Sequence, residues 1–287
     1  MRTVILASFG LALLAASAEA TPKAWDRTWE LTTQADVHLI AGDAHIRIHT
    51  GPPGQVAVHV EYDVKHWGMM VGGGEPVVVF EHKDDQIWIT LHDPKTFGVI
   101  GGVDERFVAD LTVPPTLQLA VRTGDGAVEC EPVSGRIQLE TGDGRITARG
   151  LKGDIEVRSG DGRVTLEEVD GTLHARTRDG HLSASGRFDG LDLGAGDGRV
   201  DAIAGPGSQP TTSWNVETGD GSVNLRIPHN INTLLDARTR DGHIDVQIPI
   251  SVQGRIHSHE LIGELNNGGP SLRIRTGDGS ITLALSD

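Results

Sequence analysis

The chain has 287 residues, a formal charge of −15 and 4% aromatic residues. An acidic surface of that size argues against nucleic-acid binding and against docking on anionic lipid. A single cysteine, Cys130, makes an intramolecular disulfide impossible, so stability has to come from burial and backbone pairing.

Residues 1–20 read as a secretory signal peptide: Arg2 gives a positive start, Val4 to Ala16 is largely apolar, and Ala18-Glu19-Ala20 fits a small-x-small cleavage pattern. Maturation is predicted near Thr21. The apolar stretch is too short for a comfortable transmembrane helix, and no later segment approaches the required length. No Cys follows it, so a lipoprotein anchor is not expected.

Residues 21–115 show alternating strands at Val37 to Ile48, Val56 to Tyr62, Val77 to Glu81, Gln86 to Thr90 and Phe107 to Val113, joined by longer segments. Gly42-Asp43-Ala44 resembles one worn copy of the turn that dominates the rest of the chain. This region reads as an irregular N-terminal β-cap, continuous with the C-terminal part of the chain. Two apolar, glycine-rich stretches, Trp67 to Gly74 and Phe97 to Val103, stand out as loops. They are expected to pack on each other or on the first coil. Trp67, Met69, Met70 and Phe97 are the candidate contact residues there.

From 116 to 287 the sequence repeats. Asp125, Asp143, Asp161, Asp179 and Asp197 are 18 residues apart, each in a Gly-Asp-Gly or Arg-Asp-Gly turn, and Asp220, Asp241 and Asp278 continue the series with looser spacing. A short fixed period is the mark of stacked coils. Around each Asp the apolar columns alternate with period two, for example Ile137, Leu139, Ile146 and Ala148, which is a strand signal. A second turn recurs at Gly135, Gly153 and Gly171. The expected fold is all-β: a parallel β-solenoid of the single-stranded β-helix type with 18-residue coils, right- or left-handed. The excess between Asp197 and Asp220 falls in a loop at 205–212. The 37 residues from Asp241 to Asp278 would be two coils if Glu260 occupies a missing turn and Ser258 takes the Thr column.

The exported N-terminal β-region, Val-Pro-Pro-Thr-Leu at 113–117 and the repeated Thr-Gly-Asp-Gly-x-Ile/Val together make the chain resemble the bacterial "putative adhesin" family, β-strand-repeat proteins of unknown function from the cell envelope. The resemblance spans about residues 30–287 and implies envelope or surface interaction. It brings no catalytic motif.

Carboxylates about 5 Å apart repel by roughly 1 kcal/mol per neighbouring pair even in water-like surroundings. Arg145, Arg163, His181 and Arg199, two positions after the aspartates, offer a neutralising ladder and a candidate binding row. Asp in tight turns also accepts backbone N–H bonds, and this structural role is the expected one. Calcium-binding β-rolls share the 18-residue spacing, but their glycines precede the acid and no arginine follows it. The inward Thr141, Ser159, Thr177, Thr218, Thr239 and Thr276 are expected to satisfy turn backbone groups, and Cys130 to be a small core residue. His257 and His259 beside Glu260, or His45 with His49, make at most two metal ligands each, so no metal or cofactor is expected.

The sequence thus predicts a non-enzymatic exported protein of the periplasm, outer membrane or extracellular space. It would present a rigid β-face to an unknown protein or glycan partner. The alternatives are a polysaccharide-binding or polysaccharide-cleaving β-helix enzyme, with walls at 203–213 and 250–270, and a calcium-stabilised β-roll.

Overall fold

The structure is a computed structural model that describes residues 22–31, 34–94, 96–248, 251–252 and 259–286, with backbone alone at 66–73, 96–101, 103 and 251–252. The expected signal peptide lies outside the described residues. Among them there is no helix, and no segment forms a helix long and apolar enough to cross a membrane.

The N-terminal strands are β1 (Lys23–Glu30), β2 (Ala35–Ala41), β3 (His45–Thr50), β4 (Gln55–Gly73), β5 (Val77–Lys83), β6 (Gln86–His92) and β7 (Thr96–Val113). The regular repeats supply β8 (Thr116–Thr123), β9 (Val128–Cys130), β10 (Ser134–Thr141), β11 (Ile146–Arg149) and β12 (Lys152–Ser159). They continue through the two bent strands β13 (Val164–Thr177) and β14 (Leu182–Ala195) to β15 (Val200–Ala204), β16 (Trp214–Thr218) and β17 (Val223–Ile227). The remainder is β18 (Thr233–Thr239), β19 (Ile244–Val246), β20 (Ser251–Val252), β21 (Glu260–Leu265), β22 (Ser271–Thr276) and β23 (Ile281–Leu285).

Parallel pairing in the regular region follows the repeat. Ile137 pairs with Ile155, Ile155 with Leu173, and Ile146 with Val164. The result is a solenoid-like all-β body with two long faces. Face A carries the strands that run into the aspartate turn, and face B those that leave it. The inward columns are apolar, apart from the Thr/Ser column beside the aspartate turn, and are buried along the middle of the stack; in the edge strand β19, Ile244 and Val246 stay half-buried. Each Leu, Ile or Val so buried contributes about 1.5–3 kcal/mol, the driving force for stacking.

Spatial order departs from chain order at both ends. On face A, β2 lies between β6 and β8, and β22 lies between β16 and β18. Face B repeats this, with β3 between β7 and β9 and β23 between β17 and β19. The last coil of the chain is therefore inserted between two earlier ones. Sequence columns cannot reveal this, because every coil offers the same register to any neighbour.

Two expectations need correction. Glu260 does not occupy a turn of the ladder: it opens β21, which runs antiparallel to β18 and pairs with Arg238. An antiparallel strand needs a free edge on β18, and β21 closes that edge. Ser258, like His257, lies outside the described residues. The Trp67 and Phe97 stretches are not loops but paired strands, with Trp67 opposite Gly102, Met69 opposite Ile100, Met70 opposite Val99 and Gly72 opposite Phe97. The side chains of Trp67, Met69, Met70 and Phe97 lie outside the described residues. The second-turn column is interrupted at Asp189, an extra residue where the register slips between Gly171 and Thr172, and Arg187 grips it with bonds of 2.6 and 3.0 Å.

At the N-terminal end, antiparallel β5 covers face A and antiparallel β4, itself paired with β1, covers face B. Trp29 of β1 meets Phe80 of β5 edge to face at 5.9 Å, closing the core between them. Strands β1 to β7 are thus hydrogen-bonded into the same sheet as the repeats.

Candidate functional site

The aspartate turns line one edge of the stack. Asp43 N–H donates to Asp93 Oδ2 (3.0 Å), Asp125 N–H to Asp43 Oδ1 (3.0 Å), and Asp161 N–H to Asp143 Oδ1 (3.3 Å). The carboxylates of Asp93, Asp43 and Asp143 thus each cap the turn of the next coil. Asp93 joins a ladder that the sequence assigned to Asp125, Asp143, Asp161, Asp179, Asp197, Asp220, Asp241 and Asp278. No glycine flanks Asp93, but Ile87, Ile89 and Leu91 occupy the inward positions before it, a signal the columns could have supplied.

The neutralising cations are not the expected ones. Arg145, Arg163 and Arg199 are exposed, with no ion pair among the described residues, and His181 pairs with Asp201 at 2.7 Å. Arg178 and Arg240, which replace the glycine before the Asp, take that role instead. Arg178 binds Asp161 at 2.9 Å and Arg240 binds Asp278 at 2.5 Å, and both guanidinium pKa values are pushed up, first by these hydrogen bonds.

The hydroxyl column is occupied structurally. Thr141 Oγ1 lies 2.9 and 3.0 Å from the carbonyls of Gly124 and Gly126 and accepts from Gly144 N–H at 3.2 Å. Thr177, Thr218, Thr239 and Thr276 reach the turn carbonyls of a neighbouring coil in the same way. Cys130 is 6% exposed, and burial pushes its thiol up to about 12, so it stays protonated in the core at neutral pH. Among the described residues no three His, Cys, Asp or Glu side chains cluster as metal ligands.

What remains is the outer surface of face A. Ion pairs run across its strands, Arg122–Glu140 at 2.6 Å and Arg136–Asp154 at 3.4 Å, and along β12, where Arg158 pairs with Glu156, which also accepts from Gln138 on β10 at 2.8 Å. Arg176 places one nitrogen 2.7 Å from both oxygens of Asp192 and donates through another to Glu217 at 2.6 Å. It skips a coil to do so, because Gly194 stands where a Cβ would lie 2.1 Å from its Nη1.

Two shallow cavities open on this face. One, of about 510 Å³, is bordered by Arg136, Asp154, Glu156, Arg158, His174, Arg176 and Asp192. The other, of about 260 Å³, lies beside His38, Ile40, Ala120, Arg122 and Glu140. Trp88 and His38 stack in the adjoining coils, centroids 5.8 Å apart and 10° from parallel, and Ile40 is half exposed. The sequence reading missed this face. Its signal was the alternation Arg122, Glu140, Arg158 in one outward column and Arg136, Asp154 in another.

The family model described as Toastrack DUF4097 matches residues 55–284. No curated protein matches the chain. Among solved structures, a "putative cell adhesion protein" from Clostridium sporogenes is 15% identical, with 92% of this chain and 100% of that one covered and a TM-score of 0.33. A "putative adhesin" from Bacteroides fragilis and a "putative lipid binding protein" from Parabacteroides distasonis are each 11% identical over 91% of this chain and 96% of theirs, with TM-scores of 0.39. Likenesses of this size carry no argument about function.

Proposed function

The chain belongs to the Toastrack DUF4097 family, and from that premise we propose that it is a non-catalytic, exported envelope or surface protein whose face A is a rigid binding platform, built as a single-stranded β-helix of stacked 18-residue coils. The observation that carries the reading is the cross-strand lattice of ion pairs from Arg122 to Glu217. Side chains fixed to one another on a rigid sheet bind without first having to be ordered, which removes much of the cost of association.

The same lattice speaks against chemistry. General acid–base work needs a carboxylate free to take up a proton beside its substrate. Here Glu140, Asp154, Glu156, Asp192 and Glu217 are each held by a guanidinium, with Gln138 added at Glu156. Export rests on the leader-like residues 2–20.

The test has two arms. Osmotic-shock fractionation of cells making the full chain should place it in the periplasmic or outer-membrane fraction; recovery with the cytoplasm would sink the export half. Fluorescently labelled chain should decorate envelope preparations, and Arg158→Glu/Arg176→Glu should abolish that. Equal decoration by the variant would remove face A from the function.

A further inference from the structure

We propose that face A binds a neutral glycan chain, laid along the stack axis from the His38 cavity to the Arg176 cavity. The inference rests on the platform reading and names its ligand.

The first observation concerns shape. In the outward column that begins with Trp88 and His38, the next residue is Ala120 and the one after it Gln138. A small side chain between two large ones leaves a slot with an apolar floor at Ala120. One wall is the imidazole of His38, backed by the Trp88 indole. Ile40 and the Arg122–Glu140 pair form the rim. An aromatic wall, an apolar floor and a few fixed polar groups are what a sugar ring requires: C–H faces stack, and hydroxyls meet paired donors and acceptors.

Beyond Gln138 the second cavity repeats the polar half of this arrangement. Arg158–Glu156 and Arg176–Asp192 stand on successive coils, and Arg176 lies flat across the space that Gly194 leaves. The two cavities share Gln138, Glu156 and Arg158, so they are consecutive stations on one track. Coils stack roughly 4.8 Å apart, which gives a linear polymer recurring contacts as it crosses them.

The second observation concerns charge. The two cavities are lined by Arg122, Arg136, Arg158 and Arg176 against Glu140, Asp154, Glu156 and Asp192, so 4 − 4 = 0 on a chain whose total is −15. A polyanion would be repelled by the whole and attracted by nothing on this face. A polycation would favour the aspartate edge. What matches a locally neutral surface rich in planar, pre-paired donors and acceptors is a polymer rich in hydroxyls and without charge.

The experiment uses the full chain on a panel of immobilised neutral oligosaccharides (gluco-, xylo-, manno- and N-acetylglucosamine oligomers), with polygalacturonate and dextran sulfate as charged contrasts. Hits are measured by titration calorimetry. At least one neutral series should bind, with affinity rising with chain length. Ala120→Leu, which fills the slot from outside the core, should weaken it about tenfold, the equivalent of ~1.4 kcal/mol, without changing Tm. Gly194→Ala, which displaces Arg176, should shorten the length dependence. No binding by any neutral series, binding indifferent to both variants, or binding confined to the charged polymers would overturn the proposal. If neutral glycans fail while labelled chain still decorates envelopes in a manner that Arg158→Glu/Arg176→Glu abolishes, the platform survives and its partner is a protein.

Discussion

Gly162→Ala should be among the most damaging single-methyl additions the chain can suffer. A Cβ at Gly162 would lie 1.8 Å from the Gly144 carbonyl oxygen and 2.6 Å from its carbon, both backbone atoms that cannot rotate away. Relief requires the two coils to part by more than 1 Å at the turn. That movement would break the Gly160 N–H bond to Gly142 O (2.5 Å), the Asp161 N–H bond to Asp143 Oδ1 (3.3 Å) and the Ser159 hydroxyl contact with Gly144 O (3.4 Å). At about 1 kcal/mol net for each bond, and somewhat more for the one to a carboxylate, the loss is about 3–4 kcal/mol. Interfaces between neighbouring coils carry the stability of a solenoid, so the damage should spread past the site. The assay is equilibrium urea unfolding, reading a lower midpoint for Gly162→Ala against Gly205→Ala, where the nearest atom to a new Cβ is 3.3 Å away. A Gly162→Ala stability within about 0.5 kcal/mol of the wild type (the scatter of surface substitutions) would show that the turns do not touch, and the stacking argument would fail.

Thr141→Val keeps the shape but leaves the buried Gly144 N–H without its acceptor, and should cost about 1–3 kcal/mol; Thr147→Val, exposed on face B, should cost almost nothing in the same unfolding assay. Cys130 should resist a thiol reagent such as DTNB in the folded protein and react in denaturant, and fast native labelling would contradict its burial. Calcium and chelator should leave Tm unchanged, since the aspartates already accept turn N–H groups and pair with Arg178 and Arg240; a rise of several degrees with calcium would reinstate the β-roll. Glu105 has its pKa raised first by burial and then by Asp93, whose own is raised mainly by burial. A raised carboxylate binds more protons folded than unfolded, so its contribution to stability falls as pH rises from the ordinary carboxylate range through the folded value. Glu105→Gln should therefore raise Tm at pH 7 and lose that advantage near pH 4; a lower Tm at pH 7 would reverse the sign and refute the assignment.

The repeat was legible because its physics is local. Period-two alternation fixes which side chains point inward, and the shared 18-residue register places Ile137, Ile155 and Leu173 in one buried column. Turn chemistry was equally readable: threonine hydroxyls and aspartate carboxylates have few other uses beside glycines in a tight bend. Coil order was not legible. By register β18 could stack on β16 or on β22 equally well; the structure sets β22 between β16 and β18 and leaves the far edge of β18 to the antiparallel β21. The neutralising cations were misplaced for a simpler reason. Arg145 and Arg163 follow the turn and point outward on face B, whereas Arg178 and Arg240 sit within it, close enough to reach neighbouring carboxylates. Face A stayed hidden because polar outward residues read as solvated until cross-strand neighbours are known. Arg122 and Glu140 are 18 apart in sequence and 2.6 Å apart in space.

These two kinds of column divide the work. The inward apolar columns, the threonines and the aspartate turns hold each coil to the next, and a change in any of them strains two interfaces at once. Outward columns carry almost none of that load, since exposed ion pairs contribute ~0–1 kcal/mol each. Arg122, Glu140 or Arg176 could therefore change with little effect on folding and, on the proposed platform reading, a large effect on what the face recognises. A stack built this way separates the requirement to fold from the requirement to bind. Its regular part was accordingly informative about architecture and silent about partner. The positions on which the proposed binding depends are those where an outward column breaks its own pattern: Ala120 between His38 and Gln138, and Gly194 between Arg176 and Glu217. In both places a missing side chain makes room, and in both the neighbours are already held in position by a ring stack or by paired charges.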